Sequence, residues 1–138
     1  MKLVFEIEPV EQARPRATRM GRGIHLYDLK KVSVYKKQLA MMCKFQYKQA
    51  PLTGPLMVEL NFFRHIQSSI SKKERELRLS GSHRPVVKPD TDNYIKSTLD
   101  GLNGLLWEDD NQIVDLVAHK YYSDKPRVEI EVTKLDEN

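Results

Sequence analysis

The stretch KPDTDNYIKSTLDGLNGLLWEDDNQIV, residues 88–114, holds six carboxylates, Asp90, Asp92, Asp100, Glu108, Asp109 and Asp110, in a chain whose formal net charge is +4. Asp90 and Asp92 are two positions apart. Side chains at that spacing point to the same side of an extended segment, so the pair could hold one cation between them. Pro89 biases Lys88 toward an extended conformation, and Asp92 stands directly before a helical pattern in which Ile95, Leu99 and Leu102 form the apolar stripe; Asp92 is therefore read as the N-cap. At about 100° per residue, Asn93, Lys96 and Asp100 fall opposite that stripe, which sets Lys96 on the polar face one turn beyond Asp92. Gly104 ends the helix, and Glu108, Asp109 and Asp110 precede a strand starting near Gln112. Asp109 or Asp110 returns toward Asp90 and Asp92 only if the intervening loop bends that way.

Hard oxygen ligands of this kind suit Mg²⁺ or Mn²⁺, which, clamped by carboxylates, can activate water and stabilise the leaving oxygen of a phosphodiester. A lysine beside them would offset charge developing on the phosphate. The structural alternative makes Asp92 a simple cap, Asp90 a turn residue, Glu108–Asp110 a solvated loop and Lys96 a surface ion-pair partner. Other chemistries fit less well. An EF-hand loop beginning at Asp90 would need oxygen and glycine at its fifth and sixth positions, where Tyr94 and Ile95 stand. His25, His65, His83 and His119 are scattered, without zinc-ligand spacing. Cys43 lies on an apolar helix face, and no nucleophile elbow or phosphate-binding glycine loop is present.

The elements that must carry these residues can be read from periodicity. Leu3, Phe5 and Ile7 alternate with Val4, Glu6 and Glu8, predicting a first strand. The segment ARPRATRMGRGIHLY, with Arg14, Arg16, Arg19 and Arg22 among prolines and glycines, is expected to be a flexible basic arm rather than a regular element. From about Asp28 to Gln49, Val32, Tyr35, Leu39 and Met42 recur at helical spacing with six lysines around them, predicting a long basic amphipathic helix. APLTGP halts it, and Leu56, Val58, Leu60 and Phe62 mark a second strand. SISKKERELRLSGSH is polar and helix-favouring, read as a short exposed helix or a mobile excursion. QIVDLVAHKYY and RVEIEVTKL predict two strands joined at SDKP as a terminal hairpin.

These elements indicate an α+β fold, one domain spanning 1–138, with a single mixed β-sheet and helices packed on it. Length and an apolar content of 40% are those of a folded domain with one core. A single cysteine excludes an intramolecular disulfide, the N-terminal stretch is too short and too acidic to be expected to act as a signal peptide, and no segment approaches a membrane span. The expected setting is cytoplasmic, without membrane association or a small-molecule cofactor, and the basic excess suits a polyanionic partner.

The pattern KPDTDN, Lys96, LDGLNG and a double aspartate before QIV resembles the core motif of RusA-type Holliday junction resolvases, and the RPR-containing basic region resembles the N-terminal region of phage and Gram-positive relatives. The resemblance implies a homodimeric, Mg²⁺-dependent endonuclease that resolves four-way DNA junctions by paired nicks in recombination and repair, on bacterial chromosomes and prophages. Carried over by position, it implies metal-binding catalytic aspartates at Asp90, Asp92 and Asp110 and a catalytic-site lysine at Lys96. Asn93, Asp100 and Asp109 are second-rank candidates that would orient the metal ligands. Arg14, Arg16, Arg19 and Arg22, with the helix lysines, would contact phosphates independently of sequence. Flap or fork cleavage on the same scaffold, or junction binding without cleavage, are the alternative functions.

Overall fold

Leu56, Val58, Leu60 and Phe62 are buried along one face of a ten-residue strand, and Val128, Ile130 and Val132 along one face of another. Burying two such rows requires a cover, and two helices supply it. The computed structural model describes the chain except residues 15, 22, 137 and 138, and the side chains of residues 16, 20 and 24–27 also lie outside that description. The elements run β1 (Lys2–Phe5), β2 (Arg16–Met20), β3 (Gly23–Tyr27), α1 (Lys30–Gln46), β4 (Leu56–His65), α2 (Lys72–Leu79), α3 (Thr91–Leu102), β5 (Ile113–Ser123) and β6 (Arg127–Lys134). The fold is α+β, with a four-stranded mixed sheet ordered β1-β6-β4-β5. Trp107, fully buried, joins Tyr35, Leu39, Leu102 and Leu106 in the core between sheet and helices.

Three expectations are corrected. β5 and β6 do not form a hairpin: β4 lies between them, parallel to β5 and antiparallel to β6. Alternation tells which face of a strand is buried but not which strand is its neighbour, and the central place went to the strand with the longest buried row. The basic arm is not irregular, because β2 and β3 pair antiparallel from Arg16–Tyr27 to Met20–Gly23. Gly21, at φ 61°, allows the tight turn between them. The cap of α3 is Asp90 rather than Asp92: Asp90 has extended backbone angles, and its carbonyl accepts from the amides of Asn93 and Tyr94. The SISKKERELRLSGSH segment, read as either helix or excursion, contains the two-turn helix α2, capped by the Ser71 hydroxyl on the Glu74 amide at 3.1 Å.

Candidate metal and DNA site

Helix α3 carries Asp92, Asn93, Lys96 and Asp100, and four contacts fix where it lies. The Tyr94 ring stacks on Phe62 of β4 with centroids 5.2 Å apart, and burial pushes the Tyr94 hydroxyl up to about 12. The Tyr35 hydroxyl of α1 and the Thr98 hydroxyl share a buried hydrogen bond of 2.7 Å. The Ser97 hydroxyl donates to the Val10 carbonyl at 2.6 Å, and the Gln12 amide donates to the Asn93 carbonyl at 2.9 Å, so residues 10–12 run along the first turns of the helix. Ser97 and Thr98 are thus buried polar residues with satisfied hydroxyls, on a face that hydrophobic periodicity alone does not mark.

This docking leaves Asp90, Asp92 and Lys96 exposed on the first half of α3. The Asp90 side chain makes no capping bond, so its carboxylate is not consumed by the helix it starts. Among the described residues, neither Asp90 nor Asp92 has a salt-bridge partner, and neither has Lys96. Asp100 differs. Lys36 of α1 bonds its carboxylate at 2.7 Å and that of Asp28 at 2.6 Å, and so is not free to meet a phosphate like the other lysines of α1. Burial works to lower the Lys36 pKa, but its bonds to Asp100 and Asp28 outweigh it and hold the amine above its ordinary value.

Asp109 and Asp110 follow the loop after α3. The Asp109 amide donates to the Gln112 side chain at 2.9 Å, and the Asp109 carboxylate accepts from Asn103 at 3.4 Å, which ties Asp109 into the turn. Asp110 begins a single 3₁₀ turn, Asp110–Gln112. Desolvation raises its carboxyl pKa, and the Asp109 and Asp100 carboxylates beside it raise it further. That neighbourhood belongs to the far end of α3. Asp100 is ten positions beyond Asp90, roughly 15 Å along a helix axis. The near end is marked instead by Lys120 of β5, whose amine donates to the Pro89 carbonyl at 2.9 Å. Because α3 begins at Thr91, Asp92 is helical rather than extended after Asp90, so the same-side extended pair is not formed; one chain sets Asp90 and Asp92 at the near end of α3 and Asp110 beside Asp109 and Asp100 at the far end. Among the described residues no three histidine, cysteine, aspartate or glutamate side chains gather as a metal cage.

The donor set fits a hard divalent cation nonetheless. Asp90 and Asp92 are exposed carboxylates without a protein counter-ion, and Asp110 is held in a surplus of negative charge that a cation would relieve. Of the arginines read as DNA contacts, Arg14 and Arg19 are exposed, Arg19 on β2; Arg16 is paired in β2 by its backbone, and Arg22 lies outside the described residues. Sequence reasoning missed a second cationic group at the near end of α3. Arg64 donates to the Lys88 carbonyl at 2.9 Å, Arg84 to the Lys120 carbonyl at 3.0 Å, and both guanidiniums lie over tyrosine rings of β5. These cations are dispersed in sequence and meet only through β4 and β5, although the lysine and arginine excess over residues 64–88 was visible.

Comparison with known proteins agrees in kind. Residues 6–133 match the family described as Endodeoxyribonuclease RusA. The chain is 37% identical over 130 residues to the uncharacterized protein YqaN of Bacillus subtilis (strain 168), covering 93% of this chain and 92% of that one. It is 29% identical over 140 residues to the crossover junction endodeoxyribonuclease rusA of Lactococcus phage r1t, covering 98% of this chain and 100% of that one.

Proposed function

The chain belongs to the RusA endodeoxyribonuclease family, and from that premise we propose that it is a Mg²⁺-dependent endonuclease that resolves four-way DNA junctions by paired nicks. The observation that carries the reading is the uncompensated carboxylate pair, Asp90 and Asp92, exposed at the start of α3 among cations that suit DNA phosphates. A protein that only bound junctions would gain nothing from carboxylates beside phosphate, since they repel it unless a cation intervenes.

Asp90, Asp92 and Asp110 would hold Mg²⁺, with Mn²⁺ as a substitute. When bound, the ion supplies a lowered pKa for water and charge stabilisation at the leaving oxygen. Lys96 faces the same side one turn on and neutralises charge building on the scissile phosphate. Asp110 is preferred to Asp109 because the latter is engaged by Asn103 and Gln112. Asn93 and Asp109 act on orientation, and Asp100 through its pair with Lys36.

Separation of Asp110 from Asp90 and Asp92 within one chain favours a site completed by a second copy. β5 is an edge strand with Val114, Leu116 and Val117 exposed. Antiparallel pairing of two such strands about Leu116 would lay residues 110–112 of one copy against residues 120–122 of the other, beside the Pro89 carbonyl that Lys120 holds. A homodimer of this form has two sites related by symmetry, which suits paired nicks.

The test is cleavage of labelled four-way, flap and linear duplex DNA with Mg²⁺ or with EDTA. Metal-dependent paired nicks in the four-way substrate are expected, with Asp92→Asn at least about 100-fold slower and unchanged in melting temperature because Asp92 is exposed. Undiminished cutting by Asp92→Asn would remove the metal-site assignment, and binding without cleavage would remove the nuclease reading.

A further inference from the structure

The residues between α2 and α3, SGSHRPVVKPD, end in a tip whose construction the cleavage reading does not use. Pro85 is buried, while Val86 is 93% exposed and Val87 54%. Two adjacent valines in water are costly for a loop to hold out, yet this loop is clamped. Lys120 donates to the Val87 carbonyl at 3.1 Å as well as to that of Pro89, and Arg64 takes the Lys88 carbonyl between them. Arg84 anchors the other side of the tip to the Lys120 carbonyl while its guanidinium covers Tyr121 at 4.4 Å. Three cations thus hold the backbone so that the valines project, four residues before Asp90.

Beside the tip opens a hollow of about 420 Å³, walled by Val86, Val87 and Tyr122 and rimmed by His83 and Arg84. Arg78 also lines it. Its guanidinium lies over Tyr122 at 4.4 Å and donates through Nε to Glu74, which also lines the hollow, at 3.0 Å, while its Nη1 is buried with no acceptor among the described residues, an orphaned donor that a ligand oxygen or ring nitrogen would satisfy. The surroundings are strongly cationic: residues 64–88 contain seven lysines and arginines against Glu74 and Glu76, a net +5 that exceeds the +4 of the whole chain. An apolar wall, an unused buried donor and a cationic collar together match a flat, acceptor-bearing group attached to a polyanion.

We propose that this tip and hollow seat an unpaired nucleobase at the branch point of a DNA junction, with Val86 and Val87 against the base, Arg78 toward its acceptor edge, and Arg84 and Lys88 on the flanking phosphates. The inference rests on the junction-nuclease reading and deepens it. A base at a branch point has already lost a stacking neighbour, so drawing it out costs less than in continuous duplex, and apolar wedges do the same at kinked steps elsewhere. Seating that base fixes the strand next to Asp90, and selectivity for branched DNA follows.

The experiment places 2-aminopurine, which brightens on unstacking, beside the branch point of a four-way junction. The full chain is titrated in EDTA, so that neither metal nor cleavage enters. Fluorescence is expected to rise at least two-fold, and the Val86→Ser/Val87→Ser double variant to lose most of that rise. Its affinity for linear duplex and its melting temperature should not change, and Val86→Ile should behave as the unaltered chain. An equal rise in the serine variant, equal loss of junction and duplex affinity, no rise with the unaltered chain, or no junction binding overturns the proposal. Cleavage in Mg²⁺ is read separately: cleavage without a fluorescence rise sinks the base seat alone, and a rise without cleavage sinks the nuclease reading alone.

Discussion

Asp90, Asp92 and Asp100 belong to one acidic stretch of sequence, yet their environments separate them. The first two have no salt-bridge partner among the described residues, whereas Asp100 shares Lys36 with Asp28. That makes Lys36 a structural residue, and its loss would leave two carboxylates facing each other. Lys36→Met is expected to lower stability by about 1–2 kcal/mol, the range for part-buried charge-assisted bonds. Its pH dependence has a definite sign. The Lys36 ammonium bonded to Asp28 holds that carboxyl below its ordinary 3.8, so the pair's contribution is fully present above that value and disappears as pH falls through the lower folded one. Lys36 is raised above 10.5, so at the alkaline end the contribution persists to 10.5 and is lost above the folded value. The melting-temperature gap between the unaltered chain and Lys36→Met should therefore be constant from about pH 5 to 10 and close as pH falls below the ordinary carboxylate value of 3.8. A gap that widened on acidification would refute the assignment.

At the scale of elements, the site depends on where α3 sits against α1 and β4. The two helices approach closely at Gly101, where an added Cβ would lie 3.3 Å from the Lys36 Cα and 3.3 Å from a Leu39 methyl carbon. Gly101→Val should push α1 and α3 apart and cost about 2 kcal/mol, as overpacking does. Gly101→Ala should stay within about 1 kcal/mol of the unaltered chain, because better helix propensity offsets a contact short by a few tenths of an ångström. Chemical denaturation of the three proteins checks this, and equal stability of the valine and glycine forms would mean that the helices do not meet there. The helix itself was legible in the sequence from Ile95, Leu99 and Leu102. Its true buried face also includes Tyr94, Ser97 and Thr98, whose hydroxyls are satisfied by partners as distant in sequence as Val10 and Tyr35. Pairings over such distances leave no periodic signal, which is also why β5 and β6 read as a hairpin when β4 parts them.

For the whole molecule, the question is how two acidic groups at opposite ends of α3 would serve the one reaction proposed. If two copies complete each site, Asp92→Asn and Asp110→Asn are each inactive alone, but a mixture forms heterodimers with one intact site and one doubly altered. Mixing the two should restore nicking of a single strand to about a quarter of the unaltered rate, without paired cuts, assuming random exchange and no coupling between sites. Light scattering should give twice the mass of one chain. A mixture as inactive as its components, or a monomer in solution, removes the shared site. Among the described residues no helix is long and apolar enough to cross a membrane, and the cationic surfaces around Arg19 and Arg64 belong to the same DNA-facing reading.

The sequence by itself determined the chemistry available: an acidic cluster, a lysine one turn away, strands with one apolar face and basic segments on either side. These are local properties, set by residue type and by the 2.0 and 3.6 periods of strand and helix. Only the tertiary structure decided that Asp90 caps α3 with its carboxylate left free, that Lys36 neutralises Asp100, and that Asp110 stands apart from Asp90 and Asp92. It also brought Arg64, Arg84 and Lys120 together behind two exposed valines. Each of these depends on which strand lies beside which and how a helix docks on them, and a chain settles that by burying its apolar rows, wherever along its length their partners occur.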